Sequence, residues 1–166
     1  MSSPYDVFEC NHFTAGALGE PGERVFFLQA GGVRQLVTLR CEKQQVLALA
    51  DYFERILADL PLDASVSTPP APPLRTPIEP DFVIGSLGIG YDAEGDRLIL
   101  AIDELVPEDT APGSNAKWAI GRSQGKAFAE RARLLMKGGR PLCELCGLPM
   151  DADGHTCPKT NGHLPH

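Results

Sequence analysis

The feature that most limits the fold of this chain is a proline-rich stretch at residues 61–80. Seven of the fifteen prolines of the 166-residue chain fall here, with serine, threonine and alanine between them. Proline lacks a backbone N–H and fixes φ, so the stretch is unsuited to a helix interior or a strand ladder. We therefore expect a stiff, extended linker between two halves, residues 1–60 and 81–138. A spacer crossing the fold is the favoured interpretation, and a proline-rich ligand for a partner's aromatic groove is the alternative.

The first half has the pattern of several strands followed by one helix. Its predicted strands are residues 5–9, 13–18, 24–30 and 34–40. Gly31 and Gly32 are expected to close the hairpin between the last two strands. The period then changes, because apolar side chains over residues 42–60 recur at the spacing of one helix face.

The second half repeats this pattern. Its predicted strands are residues 82–88, 98–105 and 116–120, and its predicted helix is residues 123–137. Residues 92–96 are expected to form a hairpin turn, since their acidic side chains lack the spacing of a calcium loop. The glycines from Gly85 to Gly90 do not follow a dinucleotide-binding order, so a bulge or close packing is expected there.

Two motifs of the first half recur in the second. Phe-x-x-Gly-x-Leu-Gly begins at Phe13 and again at Phe82, while Gly-Glu-Arg-Val at Gly22 resembles Gly-Asp-Arg-Leu at Gly95. These matches indicate an internal duplication. Two such units predict an α+β fold, with a mainly antiparallel sheet that carries both helices on one face, followed by a C-terminal appendage at residues 139–166.

The net charge of −7 is unevenly distributed. Residues 1–110 contain seven Lys/Arg and eighteen Asp/Glu, whereas residues 111–166 contain eight and four. The acidic body disfavours extensive nucleic-acid binding, but the basic C-terminal third allows a local contact with an anionic partner. The second predicted helix supplies five of these cations: Arg122, Lys126, Arg131, Arg133 and Lys137.

A cytoplasmic location without membrane association is expected. No apolar run approaches the roughly 18 residues of a membrane span, and the N-terminal sequence lacks the regions of a signal peptide. An odd number of cysteines argues against a disulfide framework there. Cys10 and Cys41 are expected to be small core or boundary residues rather than nucleophiles, and His12 to be a turn or packing histidine.

The tail at residues 139–166 carries the clearest chemical motif. Cys143-x-x-Cys146 followed by glycine has the spacing of a zinc knuckle, in which both sulfurs face one point. His155-x-Cys157 is compatible with the same metal ion, because residues two apart on an extended segment point to one side. The spacing therefore predicts a Cys₃His zinc site.

Such a site would be closed, since four protein ligands fill a tetrahedral shell. A closed shell is typical of structural Zn²⁺, whereas catalytic zinc keeps a position for water. The site stays closed if His163 replaces His155 as the fourth ligand. A thioredoxin-like redox pair is a weaker alternative, because no βαβ pattern surrounds the cysteines.

The chain resembles a known bacterial family over nearly its whole length. The sequences concerned are Gly-Glu-Arg-Val-Phe-Phe-Leu-Gln-Ala at 22–30, Glu-Lys-Gln-Gln-Val-Leu-Ala-Leu-Ala at 42–50, Phe-Val-Ile-Gly at 82–85 and the Cys/His tail. Together they resemble the chiefly actinobacterial family catalogued as domain of unknown function 3090. The resemblance implies Cys143, Cys146, His155 and Cys157 as the metal ligands, without His163, and implies no established activity. It also implies gene neighbours that encode phosphatase-like and kinase-like proteins.

These features favour a zinc-stabilised, non-enzymatic module that binds a protein partner. Nothing in the sequence matches a catalytic triad, a phosphate-binding loop or a carboxylate pair. A nucleic-acid-binding module, for RNA above all, is the first alternative, because basic surfaces and zinc knuckles recur in RNA-binding proteins. A zinc-dependent enzyme is the second, and it requires that one of the four ligands be absent from the metal.

Overall fold

A computed structural model describes residues 3–20, 22–60 and 69–137, and these residues form six strands and two helices. The strands are β1 (His12–Leu18), β2 (Val25–Gly32), β3 (Gln35–Cys41), β4 (Phe82–Asp92), β5 (Arg97–Glu104) and β6 (Asn115–Ile120). Helix α1 (Lys43–Ala58) follows β3, and helix α2 (Arg122–Leu135) follows β6. The order β-β-β-α therefore occurs twice.

The strands form one sheet in the order β1-β2-β3-β4-β5-β6. Neighbouring strands are antiparallel except β3 and β4, which pair in parallel at Leu39–Phe82 and Arg40–Val83. Val7, ahead of β1, makes a parallel bridge to Trp118 of β6. The segment before β1 therefore meets the last strand in the way that the start of β4 meets β3. The predicted α+β class with a mainly antiparallel sheet is confirmed.

Alternating apolar side chains give the sheet one face that packs against the helices. In β2, Phe26, Leu28 and Ala30 belong to the same buried cluster as the inner residues of α1 and α2. Phe13 lies at the centre, where its ring centroid is 6.0 Å from that of Phe53 in α1 and 4.8 Å from that of Phe128 in α2. Burying each such side chain contributes roughly 1.5–3 kcal/mol, so this contact joins the halves into one core.

Both helices begin in the same way. The side-chain oxygen of Gln45 accepts the backbone N–H of Glu42, and that of Gln124 accepts the N–H of Gly121, each at 2.8 Å. The two pairs are 79 residues apart (42 to 121 and 45 to 124). The same spacing relates the buried residues of α1, Val46, Leu49, Ala50 and Phe53, to Gly125, Phe128, Ala129 and Ala132 of α2.

Two of the predicted strand boundaries were wrong. Residues 5–9 do not form a strand, since the pairing there is the single bridge at Val7. Gly31 and Gly32 lie inside β2, and the turn falls on Val33 and Arg34. A Cβ on Gly31 would lie 2.8 Å from the carbonyl oxygen of Gln35, so this glycine permits close backbone approach instead of making the turn.

Other predictions of local structure were confirmed or shifted slightly. The register of β4 against β5 slips between Ile84 and Ser86, which is the predicted bulge at Gly85. Residues 93–96 form the predicted turn. Residues 69–80 contain no helix or strand, as their prolines predict. Among the described residues, no helix has both the length and the hydropathy that crossing a membrane requires.

Candidate functional site

The predicted zinc ligands cannot be placed within this fold. Cys143, Cys146, His155 and Cys157 lie outside the described residues, as do the alternative ligand His163 and the rest of the predicted tail. Within residues 3–20, 22–60 and 69–137, no three His, Cys, Asp or Glu side chains are grouped so as to hold a metal ion. The structure therefore describes only the α+β body that precedes the predicted tail.

The sheet face of β1–β3 that points away from the helices carries several polar side chains, and we call it the covered face. Its buried polar side chains are His12, Thr14, Gln29 and Thr38. Residues 69–81 lie across these side chains. Leu74 sits so close to Gly16 that a Cβ there would lie 2.5 Å from its side chain. The second part of the proline-rich stretch thus packs as an outer layer on this face.

Gln29 joins the sheet to this outer layer and is fully buried. Its side-chain oxygen accepts the backbone N–H of Arg75 at 2.8 Å, and its amide nitrogen donates to the carbonyl oxygen of Arg75 at 2.9 Å. The amide nitrogen also donates to Thr38 Oγ1 at 3.1 Å. Because the Arg75 N–H can only donate, the orientation of the Gln29 amide is fixed. His12 Nε2, 3.1 Å from the Gln29 oxygen, must then carry a proton.

Two titratable groups beside this cluster, His12 and Cys10, are held neutral. Burial lowers the pKa of His12, and the charge of Arg75 lowers it further. The hydrogen bond to Gln29 raises the pKa and partly opposes these effects. Burial raises the pKa of the Cys10 thiol, although backbone hydrogen bonds from Gly31 and His12 oppose that shift. In the core, burial raises the pKa of Cys41 to about 12. A neutral thiol is a poor nucleophile and a poor metal ligand, so neither cysteine is poised for chemistry.

The second half contains an equivalent face, because the strand registers of the two halves correspond. The paired residues Thr14–Gln29 and Gln29–Thr38 correspond to Gly88–Ala101 and Ala101–Lys117. By the same registers, Gly16 opposite Phe27 corresponds to Gly90 opposite Ile99. We call the face of β4–β6 that contains Gly88, Gly90, Ala101 and Lys117 the open face.

Described residues leave the open face accessible to solvent. Gly88, Gly90, Ala101 and Lys117 are all exposed. A Cβ on Gly90 would meet no atom within 4 Å, in contrast to Gly16 beneath Leu74. A groove of about 400 Å³ runs beside Ala101; its lining includes Asp6, Phe8, Asp103, Asn115 and Lys117. The open face is therefore a shallow depression at the place where the covered face holds a second layer.

One detail of the covered face does recur on the open face. Asp81, just before β4, accepts the backbone N–H of Thr38 at 3.0 Å. Asp6, just before Val7, accepts the backbone N–H of Lys117 at 2.7 Å. Thr38 and Lys117 are equivalent positions, so each half binds the incoming chain with a carboxylate at the same point of its third strand. The two faces are therefore alike at these aspartates and differ in whether a described segment lies across the strands.

The basic residues of α2 are largely engaged within the protein. Arg122 pairs with Asp96 at 2.6 Å, and Arg133 reaches Glu54 of α1 at 3.0 Å. Arg131 donates its Nε–H to the carbonyl oxygen of Ala15 in β1. Three of the five cations expected on an anion-binding helix therefore tie α2 to the hairpin of the second half, to α1 and to β1.

Comparison with known proteins agrees with the sequence resemblance. A family model described as "Protein of unknown function (DUF3090)" matches residues 5–157. The chain belongs to the DUF3090 family. The DUF3090 match includes Cys143, Cys146 and His155, and its last residue is Cys157, so His163 falls outside it. No curated protein and no solved structure matches this DUF3090 chain.

Sequence reasoning missed the residues that organise the two faces of this DUF3090 protein: Gln29, Arg75, Asp81 and Asp6. One signal was present, because Gln29 interrupts an otherwise apolar run in the predicted strand 24–30. A lone amide in such a run indicates a buried polar contact. Arg75 carried no such signal, since it contributes through its backbone groups, which every non-proline residue has.

Proposed function

We propose that this DUF3090 protein is a zinc-binding, non-enzymatic interaction module whose body carries a zinc-stabilised tail to a protein partner. The observation that carries the proposal is the spacing of Cys143, Cys146, His155 and Cys157, all within the span of the family match. Thiolate and imidazole are the ligands that structural zinc sites use. Bound zinc would order a tail that is too short to fold on a hydrophobic core of its own.

The described body supports the non-enzymatic part of the proposal. Its buried polar side chains are used for folding, and within the described residues none of their nitrogen or oxygen atoms lacks a hydrogen-bond partner. Gln29 is saturated by His12, Thr38 and Arg75, while Cys10 and Cys41 are held as thiols. This arrangement fits a scaffold better than a reaction centre.

A protein partner is favoured over RNA because of how α2 is used. An RNA-binding helix would present its cations to phosphates. Here Arg122 and Arg133 are held by carboxylates, and Arg131 by a backbone carbonyl. A gel shift on mixed RNA and DNA at low salt tests this directly. A salt-sensitive shift that Lys126→Ala and Lys137→Ala weaken would contradict the preference for a protein partner, and absence of a shift would support it.

We also infer that the two halves arose by internal duplication. The β-β-β-α order, the corresponding strand registers and the constant spacing of 79 residues across β3–α1 and β6–α2 support this inference. The strand registers give a different alignment of the two halves from the sequence motifs, because they make Leu87, not Phe82, the equivalent of Phe13. Phe82 instead corresponds to Val7, since both pair in parallel with a third strand.

Metal analysis of the full chain, purified without chelators, tests the central proposal. We expect about one zinc ion per chain, as a single tetrahedral site requires. Cys146→Ser should lose the metal and lower the melting temperature, because zinc affinity contributes to the stability of the tail. Cys10→Ser, outside the motif, is the matched control and should keep the metal. Zinc content that Cys146→Ser leaves unchanged would overturn the ligand assignment.

Two further measurements test the closed site and the partner. A cobalt-substituted sample should show a tetrahedral spectrum that added small anions do not change, since a closed shell has no vacancy. Spectral changes with anions would favour the zinc-enzyme alternative. In cells, cross-linking followed by quantitative mass spectrometry should recover the same protein with the wild type and Cys10→Ser, and lose it with Cys146→Ser. Equal recovery with all three would separate partner binding from the metal.

A further inference from the structure

We propose that residues 138–166 pack over the open face, as residues 69–81 pack over the covered face. This inference deepens the proposed function, because it gives the zinc-binding tail a docking surface on its own body. It rests on the correspondence of the two halves, on the length of chain that follows α2 and on the chemistry of the groove.

The position of the tail in the chain is the first argument. Helix α1 is followed by a segment whose described part, residues 69–81, lies across the covered face before β4 begins. Helix α2 is the equivalent of α1, with the same glutamine at its start and the same buried positions. The 29 residues from 138 to 166 exceed the 23 residues between the end of α1 and the start of β4. The tail is thus long enough for the equivalent path.

The shape of the open face is the second argument. On the covered face, Leu74 fills the space above Gly16. The equivalent space above Gly90 holds no described atom within 4 Å, and Ala101 replaces the bulkier Gln29. Exposed glycine and alanine side by side on two neighbouring strands, β4 and β5, are unusual unless another segment packs on them. The face therefore has room for a second layer, as its counterpart does.

Charge is the third argument. Lys117 is the basic residue of the groove, beside the carboxylates of Asp6 and Asp103. The tail carries both signs, with Asp151 and Asp153 between the two predicted ligand pairs. In the proposed arrangement, the carboxylates of Asp151 and Asp153 complement the charge of Lys117, and the tail's basic residues complement the aspartates of the groove.

Zero-length cross-linking of the full chain tests the proposal. A carbodiimide joins lysine amines to carboxylates in direct contact. We expect Lys117 to be linked to Asp151, Asp153 or Glu144 of the same chain, and the exposed Lys43 at the start of α1 to form no tail link. An equal mixture of isotopically light and heavy protein separates links within a chain from links between chains. No Lys117–tail link, or links between chains alone, would overturn the proposal.

A pair of variants on the sheet and on a loop sharpens this test. Ala101→Arg fills the groove and should abolish most of the Lys117–tail link, whereas Ala111→Arg, an exposed loop control, should leave it intact. Equal links in both variants would overturn the proposed path. The outcome is separable from that of the zinc proposal. If the Lys117–tail links persist in zinc-free protein, the docking proposal holds and does not depend on the metal. If zinc is bound but no links form, the zinc proposal holds and the docking proposal is wrong.

Discussion

The covered and open faces share a strand framework but differ in what lies on it. Both are built on antiparallel β-β-β registers that correspond residue for residue, and both receive an aspartate at the same backbone N–H. They differ at three equivalent positions. The covered face has Thr14, Gln29 and Thr38 there, and the open face has Gly88, Ala101 and Lys117. The comparison teaches that the helix-facing core determines the framework, while a few outward residues determine what the framework binds.

The largest change in stability is expected when Gln29, the buried amide found only on the covered face, is removed. Gln29→Ala should lower the free energy of unfolding by about 3 kcal/mol. The substitution leaves buried polar groups of His12, Thr38 and Arg75 without their hydrogen-bond partner and creates a cavity. Ala101→Gln, at the equivalent exposed position, should change it by less than about 0.5 kcal/mol. Urea denaturation measures both. A loss below about 1 kcal/mol for Gln29→Ala would mean that the outer layer does not depend on this amide.

The glycines beneath the two faces give a second test. Gly16→Ala should destabilise the protein by about 1–2 kcal/mol, because its Cβ would overlap the side chain of Leu74. Adding Leu74→Ala should remove part of this penalty, which a double-mutant cycle detects. The added Cβ of Gly90→Ala meets no described neighbour, yet the proposed docking of residues 138–166 predicts a smaller loss of stability there, because a tail segment packs on this glycine. A gain of about 0.5 kcal/mol, as backbone entropy alone would give, would contradict that docking.

The shared aspartates are expected to have smaller effects. Asp81→Ala should lower the free energy of unfolding by about 1 kcal/mol, since the Thr38 N–H loses its acceptor at a partly buried position. Asp6→Ala should cost a similar amount, because Asp6 also accepts the backbone N–H of Ser3 and the proposed docking of the tail keeps water from the Lys117 N–H. A much smaller loss than that of Asp81→Ala would show that water reaches the open face.

The smallest expected effect is the pH dependence from His12, a residue whose open-face equivalent, Ser86, does not titrate. Burial lowers the pKa of His12 in the folded protein, so the unfolded chain binds the proton more readily. Stability should therefore decline as the pH falls through about 6.5, the unfolded value, until the folded pKa is reached. His12→Gln should flatten this decline in denaturation curves collected across that range. An unchanged slope would contradict a neutral, buried His12.

Much of the framework was predictable from sequence because it follows from periodicity. The alternation in residues 34–40 and the helical spacing in residues 42–60 predicted β3 and α1 nearly to their ends. The glycines were harder to interpret. Gly31 and Gly32 resemble a turn in sequence, yet Gly31 is required for close approach of Gln35, a long-range demand that no local pattern reveals.

The outer layer was predicted as a spacer, and its contacts were not foreseen. Residues 69–81 have no periodicity, because they bind through the side chain of Leu74 and the backbone of Arg75 rather than through a repeated apolar face. The zinc ligands were proposed from spacing alone, and they lie outside the described residues. The correspondence of the two faces could not be read from motifs, since the sequence match between Phe13 and Phe82 differs from the register by five residues.

The bridge between Val7 and Trp118 has a consequence for how the protein is made. The indole N–H of Trp118 also donates to the carbonyl oxygen of Tyr5, across 113 residues of chain. During synthesis, the segment around Val7 leaves the ribosome well before β6, the last of the described strands, so these contacts form late. Contacts this distant in sequence slow folding. A nascent chain stalled before residue 118 should therefore lack the contacts of Tyr5 and Val7 with β6 and stay sensitive to proteases until that tryptophan emerges.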